Sequence, residues 1–512
     1  MIMSASTHPY PVSNRPFTLA SPTVSSTPAV ATSVSDDFEL KNAAQAASAT
    51  TMIGRAERVL VQRMRGNDVD LDSLTTYATV THGNEVTQGL DRAYFTEMML
   101  PAIRAAKDSV HIAMLSMDGG RFPNHVADLL IEKKKANPDF KVRIIADDVG
   151  SAMPFGFGKG SSMIERLRDA GIEVELNLMA RDGLEHRKVV IVDGETAFFG
   201  GACLSDPYFA SDDLFKALDA LPASQRIRAY DALWSGKDVS AFVNLPASKL
   251  GTPDWQDYGV QVTGPAVHQL QANFFETWAF QGGQISKDDL KSFRSRYFPA
   301  AKAPGDVSMN LSFAMPGGPS ELRRSLLSTL NAATQTVDIE MAYIFEDDFI
   351  EALVNAAKRG VKVRLVTNSL DGIDLFFSWH LNRQGYERLL NAGVEIYETK
   401  QYTHRKQVVV DDRFVYVSTG NPEFNSWERG FDINAIMDSP SLAEVVTQSI
   451  ETGVEPERAA LVSLEGLGQE SLWIRFQTWL YGLLAGIFMK SKDHHQEALG
   501  LLGPKLSSAV NP

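Results

Sequence analysis

The chain repeats one order of predicted helices and strands, and matching motifs of the two copies lie 218 residues apart (404 minus 186). Apolar residues at helical spacing predict helices, and short apolar runs predict buried strands. The first copy reads as helix 92–107, strand 109–115, helix 125–136, strand 141–146, helix 161–170 and strand 173–177. The second copy reads as helix 321–333, strand 336–342, helix 347–359, strand 361–367, helix 386–392 and strand 394–397. Alternating strands and helices predict an α/β fold, here with two similar α/β/α lobes related by a pseudo-twofold axis.

Each copy then reaches a short polar motif followed by an apolar strand. The motif is His-x-Lys-x(4)-Asp, present as His186/Lys188/Asp193 and as His404/Lys406/Asp411. On an extended segment, residues i and i+2 point to the same face. Each histidine is therefore predicted to project together with its lysine, one pair from each lobe, into a single site.

Two imidazoles and two ammonium groups that face each other suit a phosphodiester. Lysines neutralise the phosphate oxygens and the charge that develops when phosphorus is attacked. One histidine can attack phosphorus while the other protonates the leaving oxygen, because imidazole titrates near neutral pH. The residues predict a covalent phosphohistidine that water or a second alcohol resolves, but they leave open which of His186 and His404 is the nucleophile.

A carboxylate on the far ring nitrogen would fix the tautomer and orientation of each histidine. Asp257 and Asp432 are the candidates, since they occupy matching positions in the repeated tails that follow the motif. Asp193 and Asp411 belong to the motif but stand at the end of the apolar strand, where we expect them to hold a turn or a backbone amide.

Composition narrows the possible partners. The formal net charge is −14, which argues against broad nucleic-acid binding because that requires clustered Lys and Arg. Cys203 is the only cysteine, which excludes an intrachain disulfide and a cysteine-based zinc site.

The predicted domains follow the repeat. They are a disordered tail 1–50, a first lobe 51–298 with an insertion at 208–254, a linker 299–310, a second lobe 311–450 and a helical C-terminal extension 451–512. The Ser/Thr/Pro-rich tail could instead be an uncleaved export signal.

The apolar stretch 472–489 is too short and too interrupted to cross a bilayer. We expect a helix packed on the body there, with a helix that lies on a membrane surface as the alternative. Tyr343 and Trp255 are expected to pack in the interior, with lining of the cleft as their alternative.

The sequence after the two motifs resembles the phospholipase D superfamily, whose motif continues as Gly-Ser-x-Asn. The second copy continues as Ser418-Thr419-Gly420-Asn421. The first continues as Gly200-Gly201-Ala202-Cys203, a Gly-Gly form similar to that of bacterial cardiolipin synthases, which usually have Asn where this chain has Cys203. The likeness covers roughly residues 90–438.

The resemblance implies a metal-independent ping-pong reaction that needs no cofactor, in which His186 is the nucleophile and His404 the general acid. It also implies that Asn421 and Thr419 bind phosphate or position His404. The function expected first is a phospholipase D or transphosphatidylase that acts on glycerophospholipids. Cardiolipin synthesis is the alternative, followed by a nuclease and by a catalytically dead binding protein. We expect a monomer, in the cytoplasm or peripherally on a membrane, that binds phospholipid and no nucleic acid.

Overall fold

A computed structural model describes residues 52–151, 160–301, 305–318 and 320–488. The predicted tail 1–50 and the final part of the predicted C-terminal extension, 489–512, lie outside the described residues. Within the described residues, strands and helices alternate along most of the chain.

The strands of the described residues form one sixteen-stranded sheet. They are β1 (Thr81–Leu90), β2 (Ser109–Met114), β3 (Lys141–Asp147), β4 (Glu173–Asn177), β5 (Leu184–Glu185), β6 (Lys188–Val192), β7 (Thr196–Gly200), β8 (Tyr258–Thr263), β9 (Val307–Ala314), β10 (Thr336–Met341), β11 (Lys362–Asn368), β12 (Glu395–Thr399), β13 (Lys406–Val410), β14 (Phe414–Ser418), β15 (Gly430–Asp438) and β16 (Ala459–Leu461).

Helices connect the strands and cover the sheet. They are α1 (residues 52–64), α2 (Asp91–Ala93), α3 (Leu100–Ala105), α4 (Arg121–Ala136), α5 (Asp148–Ser151), α6 (Gly160–Asp169), α7 (Met179–Asp182), α8 (Asp206–Phe209), α9 (Asp212–Asp219), α10 (Ala223–Trp234), α11 (Ala247–Gly251), α12 (Pro265–Phe280), α13 (Lys287–Lys291), α14 (Phe293–Tyr297), α15 (Glu321–Ala332), α16 (Asp347–Lys358), α17 (Phe376–Arg383), α18 (Tyr386–Asn391), α19 (Pro440–Gly453), α20 (Leu464–Gly468) and α21 (Leu472–Phe488). A 3₁₀ turn at Leu71–Ser73 and π-helical turns at Tyr94–Met99 and Asn425–Arg429 complete the set.

The strand order shows the repeat directly. From one edge to the centre the order is β4-β3-β2-β6-β7-β8-β1, and from the other it is β12-β11-β10-β13-β14-β15-β9, with β16 added outside β12. The two halves meet where β1 pairs antiparallel with β9. The predicted α/β fold with two similar lobes is thus confirmed, and the sheet is continuous across both lobes.

The motif strands β6 and β13 lie inside their lobes. Every residue of each is buried, because β2 and β7 flank β6, β10 and β14 flank β13, and helices cover the faces. Strands buried on both faces read as continuous apolar runs. One hydrophobic core serves each lobe separately, and a third, which includes Phe275 of α12 and Val446 of α19, spans both lobes.

Some strands were not predicted from the sequence. β1 and β9 open the two copies, but the buried residues of β1 are Thr81, Asn84 and Gly89, so its apolar signal is weak. β9 begins at Val307, within the predicted linker 299–310. β16 extends the sheet inside the extension predicted to be helical. The predicted insertion 208–254 is largely helical. It contains α9, α10 and α11, and α8 overlaps its start.

The C-terminal helix α21 packs on the body along one side, and its other side carries exposed tryptophans. One side of it contacts α17, where the Thr478 hydroxyl lies 2.9 Å from His380 Nδ1. Trp473 and Trp479 on α21 are 64% and 59% exposed. No helix within the described ranges is long and apolar enough to span a membrane.

The motif aspartates have the structural role expected of them. Both adopt a left-handed backbone, with φ of 52° at Asp193 and 53° at Asp411. Asp193 accepts hydrogen bonds at 2.8 Å from the amides of Lys107, Asp108 and Ser109. Asp411 accepts from the amides of residues 334, 335 and 336 at 2.7–3.1 Å and from the Thr334 hydroxyl. Each carboxylate ties the loop before the lobe's first parallel strand to the end of the motif strand.

We expect Asp411→Ala to lower the free energy of unfolding by roughly 2–4 kcal/mol, because it removes several hydrogen bonds and places alanine at positive φ. Asp411→Asn keeps one acceptor and tolerates that backbone, so its loss should be clearly smaller. Denaturant unfolding followed by circular dichroism measures both. Equal stability of wild type and Asp411→Ala would contradict the assignment.

Candidate active site

The segments that carry the two histidines are bound to the opposite lobe. β5 pairs in parallel with the start of β15, and the His186 amide donates to the Phe431 carbonyl at 3.0 Å. In the other half, Thr403 bridges Gln256 in parallel, and the His404 amide donates to the Gln256 carbonyl at 2.8 Å. Each histidine thus lies beside the residue that precedes an aspartate of the other lobe.

Because of this register, each histidine contacts a carboxylate of the other lobe, and we call this the exchange of carboxylates. His186 Nδ1 lies 3.0 Å from both carboxylate oxygens of Asp432. His404 Nδ1 lies 2.8 Å from Asp257 Oδ2. The sequence predicted both aspartates as partners of the histidines. It did not predict the exchange, because the exchange depends on contacts between the lobes. With Nδ1 engaged by a carboxylate, Nε2 of His186 is left for chemistry, while Nε2 of His404 lies 2.9 Å from Lys406 Nζ.

Glycine is required beside each carboxylate. A Cβ at Gly201 would lie 2.2 Å from Asp257 Oδ1, and a Cβ at Gly420 would lie 2.7 Å from Asp432 Oδ2. Both distances are shorter than van der Waals contact allows. The glycines of the extended motif therefore make room for the carboxylates to reach the histidines.

The two lysines are more deeply buried than the histidines. Lys188 Nζ donates to the His186 carbonyl at 2.6 Å, and Lys406 Nζ donates to the His404 carbonyl at 2.7 Å. Lys406 Nζ also lies 2.9 Å from His404 Nε2. The pKa of Lys406 is lowered to about 7, chiefly by burial and also by the positive charge of Lys188, while Asp257 opposes the shift.

Both imidazoles are held neutral in the free protein. Burial, with the charge of Lys188, lowers the pKa of His186 to about 4, although Asp432 opposes this. Burial lowers the pKa of His404 well below its ordinary value, and Lys406, Lys188 and His186 lower it further. An anionic phosphate between these cations would offset their charge and favour protonation of one ring.

The two carboxylates differ in charge state although they occupy equivalent positions. Burial raises the pKa of Asp257 to about 7, with Lys406 opposing it. Burial would also raise the pKa of Asp432, but His186, Lys188 and Thr419 together hold it below its ordinary range. Asp432 is therefore ionised at neutral pH, whereas Asp257 titrates there.

Both histidines line one pocket of about 360 Å³. Its walls are largely aromatic and aliphatic, and they include Tyr208, Trp255, Tyr343, Phe345, Phe377 and Leu375. Asn421, Cys203 and the carboxylates Asp374 and Glu423 add polar groups. The pocket thus combines the two histidines with apolar walls. Tyr343 and Trp255 line it, contrary to the expectation that they only pack.

The side chain of Thr419 contacts Asp432. Its hydroxyl donates to Asp432 Oδ1 at 2.5 Å, so it supports the partner of His186. The role that the resemblance implies for Thr419, binding phosphate or positioning His404, stays a prediction. Asn421 does line the pocket, and its Oδ1 is buried without a hydrogen-bond partner among the described residues. Cys203 is buried, and burial raises the pKa of its thiol.

Three features of the site were missed. Tyr208, at the start of the insertion, places its hydroxyl 3.3 Å from His404 Nδ1, and no sequence signal marks it. Arg187 Nε donates to Glu185 at 2.8 Å, and Arg405 pairs with Glu340 at 3.4 Å. Arginine in the middle of both His-x-Lys motifs was a visible signal for these buried ion pairs, which anchor the motif segments.

No three or more His, Cys, Asp or Glu side chains of residues 52–151, 160–301, 305–318 and 320–488 are grouped so as to hold a metal ion. The groups that surround the pocket base are the two histidines, the two lysines and the two exchanged carboxylates.

A family model described as the phospholipase D-like domain of cardiolipin synthase matches residues 99–228 and 326–453, one segment in each lobe. The chain belongs to the phospholipase D superfamily. The match to both lobes confirms the resemblance and agrees with the repeat seen in the strand order of this phospholipase D-like chain.

Curated relatives and solved structures agree with the family. A cardiolipin synthase of Alkalihalophilus pseudofirmus is 28% identical over 354 residues, which cover 66% of this chain and 60% of the relative. Cardiolipin synthase 2 of Bacillus anthracis is 26% identical over 388 residues, which cover 73% of this chain and 63% of the relative. The chain thus matches less than two thirds of the length of either. The crystal structure of a phosphatidylserine synthase of Haemophilus influenzae Rd KW20 shares the fold, with a TM-score of 0.55 and 12% identity over 83% of this chain and 97% of that one.

Replacing Asp432 by Asn should lower kcat roughly 10²–10⁴-fold, as losing an orienting carboxylate does in other histidine sites. Asp438→Asn is the matched control, because Asp438 ends the same strand but pairs with Arg413 at the surface. Steady-state hydrolysis of a chromogenic phosphodiester measures both. Full activity of Asp432→Asn would show that the exchanged carboxylate is dispensable.

Anion binding should weaken as the pH rises above 7. The pKa of Lys406 is about 7 in the free site, and a bound phosphodiester anion raises it, so binding takes up a proton above that pH and affinity falls by up to tenfold per pH unit. Ionisation of Asp257 acts in the same sense. Calorimetric titration with dimethyl phosphate in two buffers measures Kd and proton uptake.

Lys406→Arg is the control for this titration, since arginine keeps its charge throughout the range. Its dependence on pH should be shallower than that of the wild type. An affinity that is constant or rises above pH 7 in the wild type would overturn the assignment.

Proposed function

We propose that the protein is a phospholipase D-type enzyme that transfers a phosphatidyl group from a glycerophospholipid to water or to a second alcohol. The observation that carries the proposal is the pair of histidines in one apolar-walled pocket, each with Nδ1 on a carboxylate and a buried lysine close by. Metal-independent chemistry of this kind needs a nitrogen nucleophile, a proton donor and cations for the phosphate oxygens.

The reaction proceeds in two balanced steps. In the first, Nε2 of His186 attacks phosphorus, the bond from phosphorus to the head-group oxygen breaks, and that oxygen takes the proton of His404. In the second, the acceptor hydroxyl gives its proton to His404, its oxygen attacks phosphorus, and the phosphorus–nitrogen bond breaks. The site returns to its starting state, and Lys188 and Lys406 balance the charge on the phosphate oxygens in both steps.

The surroundings of the two rings support this order of roles. Asp432 is ionised and raises the basicity of His186, which makes it the better nucleophile. His404 is surrounded by Lys406, Lys188 and His186, so once protonated beside a bound anion it is the stronger acid. Tyr208 and Asp257 both lie at its Nδ1 and orient it.

The pocket supports a lipid rather than a nucleic acid as substrate. Its walls are aromatic and aliphatic, whereas a nuclease needs a basic groove for the phosphates beyond the scissile one. The formal net charge of −14 argues in the same direction. The proposed enzyme works on lipids at a membrane surface as a peripheral protein.

Cardiolipin synthesis is the second candidate. It is favoured by the two relatives, which are named cardiolipin synthases, and by the family model that matches both lobes. In that reaction the acceptor alcohol is the free glycerol hydroxyl of a phosphatidylglycerol, and the two steps above are otherwise unchanged.

Product analysis on defined phospholipids tests the proposal. Incubation with phosphatidylglycerol should yield phosphatidate with water as acceptor, or cardiolipin if a second phosphatidylglycerol is the acceptor. His186→Ala should abolish turnover, and EDTA should leave the wild-type rate unchanged. Mass spectrometry of the lipid extract identifies the products.

His82→Ala is the matched control for the histidine variant, because His82 lies on β1 beside Ser308 and outside the pocket. Cleavage of DNA with no turnover of any lipid would overturn the proposal. Activity that EDTA removes and a divalent metal restores would overturn the mechanism.

A further inference from the structure

An exposed apolar surface continues outward from the pocket. Leu375 lines the pocket and is 45% exposed, and the adjacent Phe376 is 55% exposed. The ring of Phe376 lies 5.7 Å from that of Tyr481 on α21. The apolar surface therefore extends from the pocket wall over the start of α17 to α21.

The exposed side of α21 carries an aromatic stripe. The rings of Trp473 and Phe476 lie 5.8 Å apart, and those of Phe476 and Trp479 lie 5.9 Å apart. All three are exposed, as is Leu472. Arg475 is the only charged residue in the helix. Tryptophan is enriched where a protein meets the interface between lipid and water.

α21 is firmly held in this orientation by α17. Tyr481 stacks on His380 with ring centroids 5.2 Å apart, and Gln384 donates to the Thr478 carbonyl at 3.1 Å. A Cβ at Gly482 would lie 1.6 Å from Gln384 Nε2, so glycine permits this close packing. The aromatic stripe faces away from a fixed contact.

The size of the pocket determines where the lipid chains must go. The volume of about 360 Å³ lies near the lower end of the roughly 300–1,000 Å³ that is typical of small-molecule sites. That holds a phosphate with its head group, but two long acyl chains need far more space. The chains must remain outside, and the apolar surface around the pocket mouth is the part of the protein beside them.

We propose that Leu375 and Phe376 of the pocket rim, together with the α21 stripe of Trp473, Phe476 and Trp479, dock onto a phospholipid bilayer and hold the pocket mouth at the head groups. This inference rests on the proposed function. The net charge of −14 disfavours attraction to anionic lipid, so the docking is driven by apolar insertion and persists at high salt.

Vesicle co-sedimentation tests the docking surface. The vesicles contain phosphatidylcholine and phosphatidylglycerol in equal parts, and the variants are Trp473→Ser, Trp479→Ser and, on the rim, Phe376→Ser. Each should lower the partition coefficient about tenfold, since roughly 1.4 kcal/mol corresponds to tenfold and a buried large apolar side chain contributes at least that much. Ile227→Ser is the matched control, because Ile227 is 63% exposed on α10, and it should bind like the wild type.

A second readout separates this inference from the proposed function. Trp473→Ser and Trp479→Ser should turn over a monomeric short-chain phospholipid at the wild-type rate and lose about tenfold in turnover of vesicles. If no lipid is turned over but the tryptophans still control vesicle binding, the docking surface stands and the proposed function fails.

Two results would overturn the docking surface. The first is a partition coefficient that is equal for the wild type, Trp473→Ser and Phe376→Ser. The second is a wild type that does not bind vesicles but forms a dimer, with Trp473→Ser monomeric in analytical ultracentrifugation. The stripe would then be an interface between two copies of the chain.

Discussion

Two short parallel backbone bridges between the lobes are the contacts on which the site depends. The His186 amide binds the Phe431 carbonyl and the His404 amide binds the Gln256 carbonyl, so the residue that follows each carbonyl presents its carboxylate to the histidine of the other lobe. A single lobe would contain a histidine without its orienting group and a buried aspartate without its partner, and an unpaired buried charge is strongly unfavourable. The continuous sheet, joined at β1 and β9, fixes this register. The two copies therefore form one site and not two.

A nearly symmetric backbone produces two chemically different histidines. Asp432 also accepts the Thr419 hydroxyl, while Asp257 lies near Lys406. The insertion adds Tyr208 to the His404 side alone. His186, Lys188 and Thr419 hold the pKa of Asp432 below its ordinary range, whereas burial raises the pKa of Asp257. In the proposed reaction this difference separates the nucleophile from the acid. Cys203 lines the first half of the pocket where Asn421 lines the second, which extends the asymmetry to the groups that meet the phosphate.

The sequence predicted most of the fold, because the repeat shows twice the order of strands and helices that surrounds each motif. Strand β4 agrees residue for residue with its predicted range, and most other predicted elements agree to within a few residues. The central strands β1 and β9 were missed because backbone pairing, more than an apolar face, holds β1 in place. The histidines, lysines and aspartates of the site were named in advance, but the exchange of carboxylates and the position of Tyr208 depend on contacts between distant segments. The exposed stripe of α21 could not be told from a packed face, since both require the same apolar residues.

The central claim is that the two lobes form one site in which His186 carries the phosphatidyl group. The most direct test uses phosphatidyl-p-nitrophenol as substrate, because its leaving group needs little help from an acid. The protein is rapidly denatured during turnover, and its peptides are analysed by mass spectrometry. His404→Ala should slow the second step and accumulate the adduct. The account predicts a phosphatidyl group on the peptide that contains His186. An adduct on the peptide that contains His404 in the wild type, or turnover of this substrate by His186→Ala, would contradict it.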